Sequence, residues 1–232
     1  MQGGEAQTLR VLAAGAVKAV MHDLFPDLRL PSGVGLDMAF DTVGALRDRM
    51  LGGERPDVVM VSAPAMEPLV AKGLVERARI MDLGRTGVAL GGREGRALAD
   101  MRTPEKFRQV LLGASSIGYA DPARGATGGT QFAKALDLLT LKDELAGRLK
   151  AFSFGVDAVA ALAHDELDIA VSMAPEILPM PGVSFLGLFP EELQIWTSYQ
   201  AVAVSDRPAA QEFMDVLAGP TGAAALQRVG FF

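Results

Sequence analysis

Residues 8–25 read Thr8-Leu9-Arg10-Val11-Leu12-Ala13-Ala14-Gly15-Ala16-Val17-Lys18-Ala19-Val20-Met21-His22-Asp23-Leu24-Phe25, and the change of period inside this stretch decides the fold. Thr8 to Ala14 is a short apolar run ending in small residues, as expected of a buried strand that delivers a tight turn. Val17 to Phe25 is helical, because Val17, Val20, Met21 and Leu24 fall on one stripe. The alternation then repeats. Leu36 to Phe40 is a strand, Thr42 an N-cap, and Val43, Leu46 and Met50 mark a second amphipathic helix. After Gly52-Gly53 and Pro56-Asp57, Val58 to Val61 is a third buried strand, and Met66 to Gly73 a short helix with a glycine C-cap. This β-α-β-α-β-α order predicts an α/β protein with a mostly parallel sheet and helices on both faces.

Further along, Gly87 to Leu90 is a fourth strand and a candidate crossover out of the first lobe. Thr103-Pro104-Glu105 opens a capped helix, Ile117 to Ala120 is a strand, and Asp121-Pro122 stops it. Phe132 to Leu139 and Asp157 to His164 are helices, and Ile169 to Ser172 is a strand. Trp196 to Val204 is a long strand leading back, followed by a closing helix from Ala209 to Val229 that breaks at Gly219-Pro220. Leaving and re-entering a lobe by long strands predicts two doubly wound α/β lobes, 1–88 plus 200–232 and 89–199, with a ligand cleft between them.

Composition narrows the functional classes. Half of the 232 residues are hydrophobic and the net charge is only −6, which excludes intrinsic disorder. The absence of cysteine excludes a disulfide scaffold and a cysteine zinc site. Twenty-eight acidic residues against 22 basic ones speak against a nucleic-acid partner. No run of eighteen apolar residues is present, so a membrane span is not expected. The polar start, Met1 to Gln7, lacks the basic and apolar regions of a secretory signal. Two locations stay open: periplasmic if a signal peptide has been removed, otherwise cytoplasmic.

Three turns carry potential chemistry. In Ala13-Ala14-Gly15-Ala16, small side chains let an anion reach backbone N–H groups at a helix start. The same residues also suit plain close packing of strand and helix. In Phe40-Asp41-Thr42-Val43-Gly44, the Thr42 hydroxyl either donates to an anion or caps its own helix. The third turn, Asp121 to Thr130, supplies Gly125, Gly128 and Gly129 for a nest of N–H groups, with Thr127, Thr130 and Arg124 beside it. It is no Walker A loop, since no Gly-Lys-Ser/Thr follows. His22 and His164 sit in predicted helices next to Asp23 and Asp165 and read as surface positions. A His-Glu-x-x-His zinc motif and a Gly-x-Ser-x-Gly elbow are both absent. No metal or cofactor is expected.

The order of these segments resembles the periplasmic molybdate-binding protein family, substrate-binding components of ABC transporters with a type II periplasmic-binding-protein fold. The resemblance runs from Val11 to Ala16, through Pro56-Asp57-Val58 and Tyr119 to Pro122, to Leu217–Ala224 and Arg228-Val229-Gly230-Phe231. It implies a small anionic ligand and a transporter permease as partner. The family's pocket implies a serine at Ala16, a second serine at Val43 beside Thr42, and a tyrosine near Ser172-Met173, with Val156 lining the site. Loss of three hydroxyl donors, each worth roughly 1.5–3 kcal/mol to a charged acceptor, points away from molybdate. Gly118 to Lys134, Glu176 to Val183 and Phe189 to Gln194 are similar to the branch related to aconitate isomerase. That branch implies an organic polycarboxylate, for which Arg124 and Arg93 are the candidate cations.

The expected function is therefore capture of a small anion for an ABC-type transporter. A cofactor-free isomerase is the alternative, with Lys18, Asp157 or Glu176 as candidate base. A ligand-sensing domain is a third reading.

Overall fold

Strand β1 (Leu9–Ala14) pairs in parallel with β2 (Leu36–Asp41) on one side and β3 (Val58–Ser62) on the other. All five residues of β3 are buried, as its run of β-branched and apolar side chains requires. The computed structural model that shows this pairing describes residues 8–96 and 100–232. Helix α1 (Lys18–Leu24) follows β1, α2 (Val43–Leu51) follows β2, and α3 (Ala63–Ala71) follows β3. The sheet is completed by β4 (Met81–Thr86) and by β10 (Thr197–Ala203), which runs antiparallel to β3, giving the order β2-β1-β3-β10-β4. Helices α9 (Pro208–Ala218) and α10 (Pro220–Arg228) close the chain, separated at Gly219.

The second sheet has the order β7-β6-β8-β5-β9. It comprises β5 (Val88–Arg93), β6 (Ile117–Ala120), β7 (Leu149–Phe152), β8 (Ile169–Met173) and β9 (Val183–Leu188). Strands β6, β7 and β8 are parallel, whereas β5 is antiparallel to both neighbours. The helices are α4 (Pro104–Gly113), α5 (Thr127–Leu138), α6 (Lys142–Leu145), α7 (Gly155–Ala163) and α8 (Ala174–Ile177). Ala158, Val159, Ala161 and Leu162 of α7 pack on Ala89, Ala170, Ala174 and Ile177, a core whose small side chains let helix and sheet approach closely. Among the described residues, those up to Arg85 with Ser198–Phe232 form one compact unit, and Thr86–Thr197 the other.

Two sequence expectations are corrected. Helix α3 starts at Ala63, not Met66; Pro64 lies in its first turn, where a missing N–H costs no hydrogen bond. Helix α5 starts at Thr127, so Gly128, Gly129 and Thr130 are helical and not part of a loop. Gly129 explains how. A Cβ at that position would overlap the backbone carbonyl oxygen of Ala120, so the first turn of α5 rests directly on the end of β6. Strands β4, β7 and β9 had no counterpart in the sequence reading.

Gly129→Ala is expected to lose about 1–3 kcal/mol or fail to fold, because backbone cannot yield to the new methyl. Gly113→Ala meets nothing within 4 Å and is expected to be neutral or slightly stabilising. Urea denaturation of the two variants checks this.

Candidate functional site

In the first unit, register lines up three strand ends. Ala13 is opposite Phe40 on one side and Met60 on the other. Two residues on from that line lie Gly15, Thr42 and Ser62, one at each strand-to-helix turn along the carboxyl edge of the sheet. This is the edge at which open α/β sheets present ligand sites. Gly15-Ala16-Val17 forms a single 3₁₀ turn, with Ala16 buried. Thr42 caps α2: its hydroxyl accepts from Ala45 N–H at 3.2 Å, and its own N–H donates to Asp41 Oδ1 at 2.8 Å. Val43 is the first residue of α2. Asp41 Oδ2 also lies 3.8 Å from Arg49, whose guanidinium is forked onto Glu54 at 2.7 and 2.8 Å. That guanidinium holds the Glu54 carboxyl below the usual range.

Ser62 ends β3 and occupies the N-cap position of α3, yet its side chain makes no capping bond. It is 5% exposed, and among the described residues its hydroxyl has no hydrogen-bond partner. Lys18, half-buried at the start of α1, places Nζ 5.6 Å from the centre of the Phe40 ring.

In the second unit, Tyr119 of β6 is opposite Ala151 of β7 and Val171 of β8, so three parallel strands again end together. Of the described helices with eight or more residues, α5 and α7 alone begin with neither a side-chain cap nor a proline in the first turn. Both follow strands of this parallel trio. Their first N–H groups are therefore left to other partners. Before α5, Asp121 Oδ1 accepts from Ala123 N–H at 2.9 Å, and Gly125 takes φ +70 to complete the turn. The exposed Arg124 guanidinium lies 5.4 Å from the centre of the Phe154 ring. Thr127 is half-buried at the start of α5, and no side-chain partner is found for it among the described residues. A Cβ on Gly128 would stand 3.4 Å from Met173 N, which sets α5 against the end of β8.

At the start of α7 a different group is present. Ser172, 2% exposed, shares a short hydrogen bond with Glu176. A Cβ on Gly155 would overlap both Ser172 Oγ and the Glu176 carboxylate, so this pair sits directly on the first residue of α7, next to Val156. An internal carboxylate thus stands beside Val156, which the resemblance implies as a ligand-lining residue. Asp157 is exposed in the same first turn.

The structure gathers Arg124, Gly125, Thr127, Gly128, Val156, Ser172 and Met173 at one edge of the second sheet, and Gly15, Ala16, Thr42 and Val43 at one edge of the first. It does not place Arg93 with them. Arg93 ends β5 beside Val183, and β5 runs antiparallel, so it lies beyond the amino end of β8, about 17 Å of strand from Met173. Its guanidinium donates to Leu167 O at 3.0 Å and Asp165 O at 3.3 Å. Thr130 is committed to its own helix, donating to Ala126 O at 2.9 Å. The sequence reading missed Ser62; the signal was a serine ending a buried strand just before a proline-containing helix start. His22 and His164 are exposed.

A family model described as bacterial extracellular solute-binding protein matches residues 9–232. An aconitate isomerase from Pseudomonas sp. is 28% identical over 96% of this chain and 87% of its own. The periplasmic molybdate-binding protein of Azotobacter vinelandii superposes with a TM-score of 0.77 at 17% identity, covering 97% of this chain and 98% of that one. The binding protein AgtB of A. tumefaciens R10, solved with agropinic acid, gives a TM-score of 0.62 at 16% identity, over 97% and 82%. No helix among the described residues is long and apolar enough to cross a membrane.

The two threonines are expected to separate in stability. Thr42→Ala removes a helix cap and should cost about 1 kcal/mol. Thr127→Val, which breaks no internal bond, should stay within about 0.5 kcal/mol of the parent. Thermal and urea unfolding without ligand would measure both.

Proposed function

The chain belongs to the bacterial extracellular solute-binding protein family, and on that premise we propose that it captures a small organic polycarboxylate and delivers it to an ABC-type permease in the periplasm. The observation that carries the ligand class is the contrast at the second sheet's edge. The start of α5 is uncapped, with the Thr127 hydroxyl, unpartnered among the described residues, on it and Arg124 beside it. The start of α7 already faces the Glu176 carboxylate. Two like charges 4 Å apart cost about 4 kcal/mol at an effective dielectric constant of 20. A compact dianion such as molybdate or sulfate bound at the start of α7 would meet that charge in full. A polycarboxylate can set one carboxylate at α5, where a guanidinium fork matches it, and hold the others elsewhere. The relative named aconitate isomerase and the neighbour solved with agropinic acid support an organic acid as ligand.

The Ser172–Glu176 pair favours a second reading, the cofactor-free isomerase. Glu176 would take a proton from the methylene carbon of an aconitate. The electron pair would spread through the adjacent double bond and its carboxylate. The proton would then return to the far end of the allyl system, shifting the double bond and regenerating Glu176. No other reactant is needed, and donors at α5 would stabilise the charge as it spreads.

A thermal-shift panel of citrate, cis-aconitate, trans-aconitate, molybdate, sulfate and phosphate tests the main reading. A ligand at 100 times its Kd should add about 2.7 kcal/mol of stability. Stabilisation by the polycarboxylates, weakened in Arg124→Met, is expected; a response confined to molybdate or sulfate would refute it. For the second reading, proton NMR of cis-aconitate with the protein should show conversion to the trans isomer, abolished in Glu176→Gln. A stabilising ligand that is never converted leaves the protein a binder alone.

A further inference from the structure

We infer that Phe154 is the residue that positions the Arg124 guanidinium to receive a ligand carboxylate, the two side chains acting as one element within the second unit. The inference rests on the polycarboxylate reading, which takes Arg124 as the ligand's cation, and adds the side chain by which that cation is held.

The register of two adjacent strands brings the pair together. Ala120 of β6 is opposite Phe152 of β7, and Asp121 N–H donates to Phe152 O at 2.8 Å just past the end of β6. Beyond that bond the first segment turns at once. Ala123 N–H donates to Asp121 Oδ1 at 2.9 Å, Arg124 N–H to Asp121 O at 3.1 Å and Gly125 N–H to Pro122 O at 3.0 Å. Arg124 therefore stands on a fixed backbone, in a 3₁₀ turn that Gly125 closes at φ +70. Beyond β7 the second segment stays extended as far as Phe154, which is half-buried and leads directly into α7. The Phe154 ring centre lies 5.4 Å from the guanidinium carbon of Arg124.

Position 154 is a costly place for phenylalanine. It is the N-cap of α7, where Ser, Thr, Asp and Asn are favoured because their side-chain oxygens satisfy a helix N–H. Thr42 and Thr103 do this at α2 and α4, whereas Phe154 has no oxygen to offer and α7 has no side-chain cap. A local rule broken at a candidate site calls for another role, and the contact with Arg124 supplies one. An exposed arginine samples many rotamers, and fixing it on a ligand costs that freedom. A ring that already holds the guanidinium lowers the cost. The aromatic face attracts the cation through its quadrupole and needs none of the in-plane N–H donors that a carboxylate accepts. Arg49 and Arg77 show the other way of holding a guanidinium, with forks occupied by Glu54 and Glu67. A carboxylate in that role would compete with the ligand; a phenyl ring does not.

The test is a double-mutant cycle on the full chain, titrated with citrate and with cis-aconitate by thermal shift up to millimolar ligand. Phe154→Leu keeps an apolar side chain and removes the ring. It should weaken binding roughly two- to five-fold, the worth of an exposed cation–π contact. Phe154→Tyr keeps the ring face and should bind as the parent does. Arg124→Met should weaken binding by about ten-fold or more, the range of a lost charge-assisted hydrogen bond. In the Arg124→Met background, Phe154→Leu should cause no further loss, because the ring acts only through the guanidinium. A merely structural role for Phe154 would weaken both backgrounds alike. If Phe154→Leu binds as tightly as the parent, or loses the same factor with and without Arg124, the inference is overturned while the polycarboxylate reading stands. If the parent binds neither citrate nor cis-aconitate, that reading falls and the inference with it.

Discussion

The first turn of α5 lies so close on the end of β6 that residue 129 has no room for a side chain against the Ala120 carbonyl. Much of the second unit follows from that contact. It holds the uncapped start of a twelve-residue helix against the ends of β6 and β8, with Gly128 opposite Met173. It also explains why glycines that look like loop residues are helical. Ala126, at the N-cap, has no polar side chain to cap this helix, so its first N–H groups stay available to something outside the helix.

Hydrogen-bond accounting then divides the helices by role. Those that begin away from the candidate edges are closed off, by Thr103 at α4 and by proline at α9 and α10. Those that begin at the edges are treated one by one. Thr42 closes α2 and Glu176 faces α7, whereas α5 has no internal cap and Ser62 ignores α3. The pattern is not one of general anion affinity. Donors stand at particular turns and a negative charge at another. A net charge of −6 does not oppose this, because local dipoles and single cations set the field at each turn.

How much of this was legible in sequence follows from burial. The central strands β1, β3, β6 and β8 were read correctly because strands covered on both faces are near-continuous apolar runs. The strands not foreseen, β4, β7 and β9, are three of the four sheet edges. Met81-Asp82-Leu83-Gly84-Arg85-Thr86 and Leu149-Lys150-Ala151-Phe152 carry charges and a glycine, as edges that must not recruit another strand often do. At the candidate site, turns were legible and partners were not. Thr42 as a cap, and the sheet-edge placement of Arg124 and Thr127, follow from local pattern. The separation of Arg93 from them depends on β5 running antiparallel, which no local pattern encodes. The bond from Thr130 back to Ala126 O depends on where α5 begins.

On the proposed reading, Ser172 and Glu176 let a shared fold take a different ligand. The two residues are four apart across the β8-to-α8 turn, and Gly155 clears the space in which they meet at α7. One glycine, one serine and one carboxylate, each on a different element or turn, set an internal anion against the start of α7. None of them alters a strand, a helix or a register, so the backbone still superposes on that of a molybdate-binding protein with a TM-score of 0.77. Similarity of backbone therefore fixes the fold, and a ligand has to be argued from the charges at each strand-to-helix turn.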